Sequence, residues 1–220
     1  MQTFAATAPI TTVLDIPAGQ IQLIAADRAD ATVEVQPADA SKGRDVKAAE
    51  QTSVDFRDGI LRIQTAVKNQ LMGPSGAVQV TVHLPAGSAV QGKVASADVH
   101  STGPLGEVSF EAAHGQLTFD ETGDAQLTVQ AGDVQVGRLN GSATITTSKG
   151  DIRIAEATGG ALVLTTQAGE ISVGAATGVS ASLDASTSSG RVHNTLKNDG
   201  TSQLTIQATT SVGDIVARSL

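Results

Sequence analysis

One five-residue phrase recurs through the second half of this chain and limits its fold more than any other feature. The phrase is glycine, an acidic or polar residue, then apolar–polar–apolar. It reads Gly115-Gln-Leu-Thr-Phe119, Gly132-Asp-Val-Gln-Val136, Gly150-Asp-Ile-Arg-Ile154 and Gly169-Glu-Ile-Ser-Val173. Looser copies follow at Gly190-Arg-Val-His-Asn194 and Gly213-Asp-Ile-Val-Ala217, and Ala97-Asp-Val-His-Ser101 precedes them with alanine in the glycine slot. Successive anchors lie 18, 17, 18, 19, 21 and 23 residues apart.

A second alternation runs upstream of each anchor. Three residues before it stand Ala112, Val129, Thr147, Thr166, Thr187 and Thr210, and five before it Phe110, Leu127, Ile145, Leu164, Ala185 and Ala208. Seven before it stand Val108, Ala125, Ala143, Leu162, Leu183 and Ile206. Odd offsets are apolar or small and even offsets polar, the period of two expected of strands. Each repeat therefore holds two short strands flanking the glycine. One such repeat cannot bury its apolar side alone, whereas stacked copies can. The expected fold is all-β: a β-solenoid, a right-handed parallel β-helix of about seven coils of 17–23 residues, with glycine at each corner. In that register Leu127, Ile145, Leu164, Val134, Ile152 and Ile171 point inward, and Gln135, Arg153 and Ser172 outward.

Residues 1–89 are strand-rich but less regular, and are expected to form an N-terminal cap, as a small β-sandwich or irregular first coils; residues 90–220 are the solenoid repeats. Ile10–Ile16 reads as a strand, Pro17-Ala-Gly19 as a turn and Ile21–Ala25 as the return. Pro37–Glu50 is polar and broken, a surface loop or short helical excursion, and Asn69–Gly76 is a second loop. Val54–Phe56 and Ile60–Ile63 flank Arg57-Asp-Gly59, and Asp-Gly between alternating runs signals a hairpin. Val78–Leu84 is an alternating strand stopped by Pro85.

This order, with a His-Leu-Pro-Ala-Gly-Ser step at His83–Ser88 and Thr-Thr or Ser-Thr just before the Gly-Asp ladders, resembles the bacterial putative-adhesin family of β-strand-repeat proteins, a domain of unknown function. The resemblance covers nearly the whole chain. It implies a β-solenoid with a surface or adhesive role and brings no catalytic residues with it.

Composition excludes several chemistries. Without Cys there is no disulfide frame and no thiolate site. No apolar run approaches the length of a membrane span. Met1-Gln-Thr-Phe-Ala-Ala-Thr-Ala lacks the basic start and apolar core of a signal peptide. The expected location is cytoplasmic, or secreted or cell-surface where a leader has been trimmed. The net charge of −8 disfavours nucleic-acid binding; Lys and Arg fall short of Asp and Glu by two in residues 1–89 and by six in 90–220.

Three constellations invite a functional reading. Asp133, Asp151 and Glu170 share one slot in successive coils, with Asp98 and Asp214 further off, and stacked carboxylates can hold a hard cation. Gln116 and Arg191 in the same slot point instead to a corner role, each side chain bonding N–H groups beside its glycine. Threonine three residues before glycine forms an internal hydroxyl ladder. The residue before it (Thr128, Thr146, Thr165, Ser186 and Thr209) forms an external column whose neighbour (Ser109, Gln126, Thr144, Val163, Asp184 and Gln207) is mixed. The mixed neighbour disfavours ice binding, which needs two threonine columns. His83, His100, His114 and His193 are scattered; His100 and His193 share a slot five coils apart, roughly 24 Å, too far for one metal ion. No catalytic, cofactor-binding or metal residues are assigned.

A sugar-processing β-helix normally stacks its substrate on aromatic rings, but Trp and Tyr are absent, and Phe110 and Phe119 fall in inward slots. The expectation is therefore a non-enzymatic binding or scaffold protein for an unidentified protein or polymer ligand. The alternative is a self-assembling structural solenoid with bactofilin-like end-to-end stacking, and a carbohydrate-active β-helix enzyme stands behind both. Lys197-Asn-Asp-Gly200 reads as a loop inserted in the penultimate coil. The last copy, Gly213–Leu220, is expected to end the stack with an uncapped edge, open to a homodimer through the C-terminal coil.

Overall fold

The computed structural model describes residues 1–66 and 76–220. Apart from Gly76, the loop expected over 69–76 lies outside the described residues. The chain forms two compact units, Met1–Gly115 and Gln116–Leu220.

The first unit contains β1 (Gln2–Ala5), β2 (Thr11–Ala26), β3 (Asp30–Pro37), α1 (Gly43–Glu50), β4 (Thr52–Arg57), β5 (Ile60–Thr65), β6 (Val78–Pro85), β7 (Ala89–Thr102) and β8 (Val108–His114). Strands β2 and β7 run parallel over almost their whole length, from Thr11 beside Ala89 to Ile24 beside Thr102. Strand β8 extends the ladder beyond β7. On its other edge β2 is shared, its first half pairing with β5 and its second with β6. Beyond these the direction reverses: β4 is antiparallel to β5, β3 to β6 and β1 to β3.

Strand β2 corrects the expectation of a turn and return at residues 17–19. The chain bends there but does not fold back, and both halves of β2 pair with β7. Gly19, at φ 138°, sits opposite Ala97, so Gly19-Gln-Ile-Gln-Leu23 is a further copy of the repeated phrase. The Asp-Gly hairpin forms as expected, with φ of 52° at Asp58 and 74° at Gly59. Helix α1 occupies the broken polar stretch, and its buried Asp45 accepts a hydrogen bond from the Ala77 N–H at 3.0 Å. In the His83–Ser88 step, the buried Ser88 hydroxyl donates to the Pro85 carbonyl (2.6 Å) and accepts from the Ile10 N–H (3.1 Å). That motif is a corner staple.

The second unit contains β9 (Leu117–Thr122), β10 (Ala125–Ala131), β11 (Val134–Leu139), β12 (Ala143–Lys149), β13 (Ile152–Ala157), β14 (Gly160–Ala168), β15 (Ile171–Ala175), β16 (Ala181–Ser189), β17 (Val192–Thr195), β18 (Leu204–Val212) and β19 (Ile215–Ser219). These strands make two parallel ladders. One runs β10, β12, β14, β18, β16, and the other β9, β11, β13, β15, β19, β17. Equivalent repeat positions lie side by side throughout: Leu127 beside Ile145 beside Leu164, and Val134 beside Ile152 beside Ile171. All six of these side chains are buried, while Arg153 is exposed and Gln135 and Ser172 are half-buried. The β-solenoid register read from the repeat is the observed one.

The corners explain the glycine. Gly150 has φ 142°, and a Cβ on it would run into the carbonyl oxygen of Gly132 in the neighbouring coil. Close backbone stacking, together with the left-handed conformation, excludes a side chain there.

The end of the stack differs from the expected order. The C-terminal coil β18–β19 lies between β14–β15 and β16–β17, so both its strands are paired on both sides. The outermost coil is Ala181–Thr195, which pairs on one side among the described residues. The expected free edge at Gly213–Leu220, on which the expectation of a homodimer rests, does not match this order. The two coils also differ in polarity. Ile206, Ala208, Ile215 and Ala217 are fully buried in the inserted coil, whereas the outer coil carries Asn194 in an inward slot and leaves Val192 46% exposed. The inserted Leu196–Gln203 segment is the loop that returns the chain to the inner position.

Candidate functional site

Each candidate side chain is positioned by its slot in the repeat. Asp133 Oδ1 accepts the Asp151 N–H at 2.9 Å, Asp151 Oδ1 the Glu170 N–H at 2.8 Å, and Asp214 Oδ1 the Arg191 N–H at 2.8 Å. The carboxylates thus bind corner N–H groups, as their shared slot suggested, but those of the neighbouring coil. Two carry a guanidinium partner as well, Arg153 to Asp151 at 2.9 Å and Arg191 to Asp214 at 3.4 Å. Among the described residues no three His, Asp or Glu side chains are grouped so as to hold a metal ion.

The inward threonines complete the corners. Thr166 donates to the Gly150 carbonyl (3.1 Å), Thr210 to that of Gly169 (3.1 Å) and Thr187 to that of Gly213 (3.0 Å), with a longer contact from Thr147 to Gly132 (3.5 Å). A buried hydroxyl needs such a partner. The hydroxyl ladder expected from sequence is present, each member tied to the next coil's backbone.

The outward positions of the two ladders differ in charge. Around β11, β13 and the β17–β19 corner stand the ion pairs Arg138–Glu156, Arg153–Asp151 and Arg191–Asp214. The outward face of β10–β12–β14–β18–β16 is built mainly of hydroxyls and carboxamides, with Val163 and Asp184 as the exceptions. Its central column is Thr128, Thr146, Thr165, Thr209 and Ser186, in that spatial order. Gln126, Thr144, Val163, Gln207 and Asp184 flank it on one side. Gln130, Ser148, Gln167, Ser211 and Ser188 flank it on the other, a third column that sequence reasoning missed, although its even offset from the glycine marked it as outward. Asp184 is the single charge in these columns. Neighbouring rows stand about 4.8 Å apart, so the face offers a regular lattice of donors and acceptors. At its Ser180 margin, the Ser180 hydroxyl beside Asp199 holds that carboxyl below its ordinary range.

The four histidines do not gather on this face. His83, His100 and His114 belong to the first unit and His193 to the outer coil of the second.

Parallel ladders and glycine corners define an all-β solenoid protein. The family model described as Toastrack DUF4097 matches residues 12–219, and the chain belongs to that family, a domain of unknown function. No curated protein matches the chain. Among solved structures, a putative adhesin from Bacteroides fragilis NCTC 9343 is similar at 14% identity and TM-score 0.60, with 98% of this chain and 95% of that chain covered. A putative cell adhesion protein from Clostridium sporogenes ATCC 15579 aligns at 10% identity and TM-score 0.41, covering 100% of this chain and 98% of that one. At such identities the first likeness bears on the fold alone. No described helix is long and apolar enough to cross a membrane.

Proposed function

We propose that this chain is a non-catalytic binding protein of the cell surface, and that the outward face of β10–β12–β14–β18–β16 meets an uncharged polymer. In this reading residues 90–220 carry the binding repeats, and residues 1–89 terminate the ladder at β7. The observation that carries the reading is the segregation of charge. Ion pairs line the other ladder, while this face presents three columns of hydroxyls and carboxamides interrupted by one carboxylate, Asp184, and one apolar side chain, Val163. A surface of this kind exchanges hydrogen bonds with a neutral, repetitive partner and offers little to a charged one. A polysaccharide fits that chemistry, engaged through its hydroxyls, since the face supplies no aromatic ring.

The test is co-sedimentation with insoluble chitin and cellulose. Thr146→Lys with Thr165→Lys is expected to weaken retention at least tenfold, while Arg153→Glu on the other ladder leaves it unchanged. Equal loss in both variants, or no retention of the wild type on either polymer, would sink the proposal.

A further inference from the structure

We propose that the polarity of a single inward slot fixes the order of the last two coils, with Asn194 as the deciding residue, and that this order closes the stack against a second copy of the chain. The two coils are near-duplicates in register. Leu183 stands beside Ile206, Ala185 beside Ala208, Thr187 beside Thr210 and Val192 beside Ile215. Either coil could therefore dock on β14–β15 with matched core residues and matched corners. The pair that breaks the equivalence is Asn194 beside Ala217. In interior coils that slot holds Val136, Ile154 and Val173, all buried. A carboxamide there would be stripped of water without a partner. In the outer coil Asn194 is exposed, and its Oδ1 accepts the Leu196 N–H at 3.0 Å, at the start of the returning loop.

The order has a consequence for association. Either order leaves one coil paired on a single side, but a sequentially stacked chain would make that edge the apolar coil of Ile206, Ile215 and Ala217, a better template for strand pairing. The observed order buries that coil and turns the polar one outward, as a capping repeat should.

The chain has no Cys, so introduced pairs report on neighbours without interference. Thr165 lies beside Thr209, and Thr209 beside Ser186. Adjacent positions are about 4.8 Å apart and can form a disulfide, whereas Thr165 and Ser186, two strands apart at about 9.6 Å, cannot. In the wild-type background, Thr165→Cys with Thr209→Cys is expected to oxidise nearly completely, and Thr165→Cys with Ser186→Cys not at all. Exchanging the deciding residues, Asn194→Val with Ala217→Asn, is expected to reverse both results. Thr209→Cys with Ser186→Cys should link in either order. Unchanged linkage after the exchange would overturn the role of Asn194. Loss of the Thr209–Ser186 link in the exchanged chain would overturn the interchangeability of the coils. The wild type is expected to stay monomeric by light scattering across a concentration series, and a concentration-dependent dimer would overturn the closing role.

Discussion

In the first unit the parallel ladder β8–β7–β2 ends by reversing direction, whereas in the second every strand stays parallel and the ladder ends on its most polar coil. The first solution uses extra chain. Strands β3 and β4 are laid antiparallel on β6 and β5, and β1 on β3. Phe4 of β1 and Phe56 of β4 then meet with ring centroids 5.5 Å apart, joining the two outer branches. The second solution adds no element and instead reorders two coils so that Asn194 and the serines of β16 face water. Both manage the exposed edge that every open sheet presents. One does it by topology and the other by composition, so the two ends should respond differently to substitution.

The sharpest contrast is expected within the second unit. Ile152→Ala, in an interior coil, should lower stability by about 2–5 kcal/mol. Val192→Ala, in the outer coil, should change it by less than about 0.5 kcal/mol. Chemical denaturation measures both, and comparable losses would mean that the outer coil is packed like the interior. A smaller effect is expected in the first unit at Gly92, which lies beside Phe110 and whose added Cβ would strike that ring. Gly92→Ala should cost about 1–3 kcal/mol through overpacking. Most of that cost should vanish in a Phe110→Leu background, and a double-mutant cycle showing no coupling would reject the explanation. Phe56→Ala should remove an aromatic contact worth about 1 kcal/mol. Hydrogen exchange should then quicken in β1 and β4 while β16 and β17 keep wild-type rates. The smallest expected changes are gains. Thr12 in the first unit and Thr122 in the second bury hydroxyls without a partner among the described residues. Thr12→Val and Thr122→Val should each stabilise by up to about 1 kcal/mol, because an unmet buried donor is costly. A loss in either would reveal a bond to the hydroxyl.

Much of this architecture was legible in the residues because the repeat states its own register. The glycine anchors, the buried Leu127–Ile145–Leu164 row and the inward threonines all follow from a period of two folded into a period of about eighteen. The Asp-Gly hairpin was legible because both turn residues need positive φ. Two features were misread for physical reasons. Pro17-Ala-Gly19 carries turn chemistry, which obscured the repeat phrase beginning at Gly19, although a corner and a turn require the same backbone freedom. The order of the final coils could not follow from register, since both coils satisfy it equally. The signal was Asn194, a polar residue in an apolar slot, read as a degraded copy when it marked the coil that faces water. Of the candidate binding face, two columns were visible from sequence. Its low charge, Asp184 alone, emerged only when the third was seen beside them, with the ion pairs on the other ladder.

The inserted final coil also decides how the molecule would bear a load. Tension applied near Ser219 runs along β19, whose backbone is bonded to β15 on one side and to β17 on the other. Such a pull shears two ladders at once, where an outermost strand would yield one. Thr177 adds a clasp, its hydroxyl donating to the Leu220 carbonyl at 3.2 Å. Forced unfolding is governed by the rate of the opening step, and bonds broken together make that step slow. A tether attached at this end would therefore be held by the fold as a bolt between two plates.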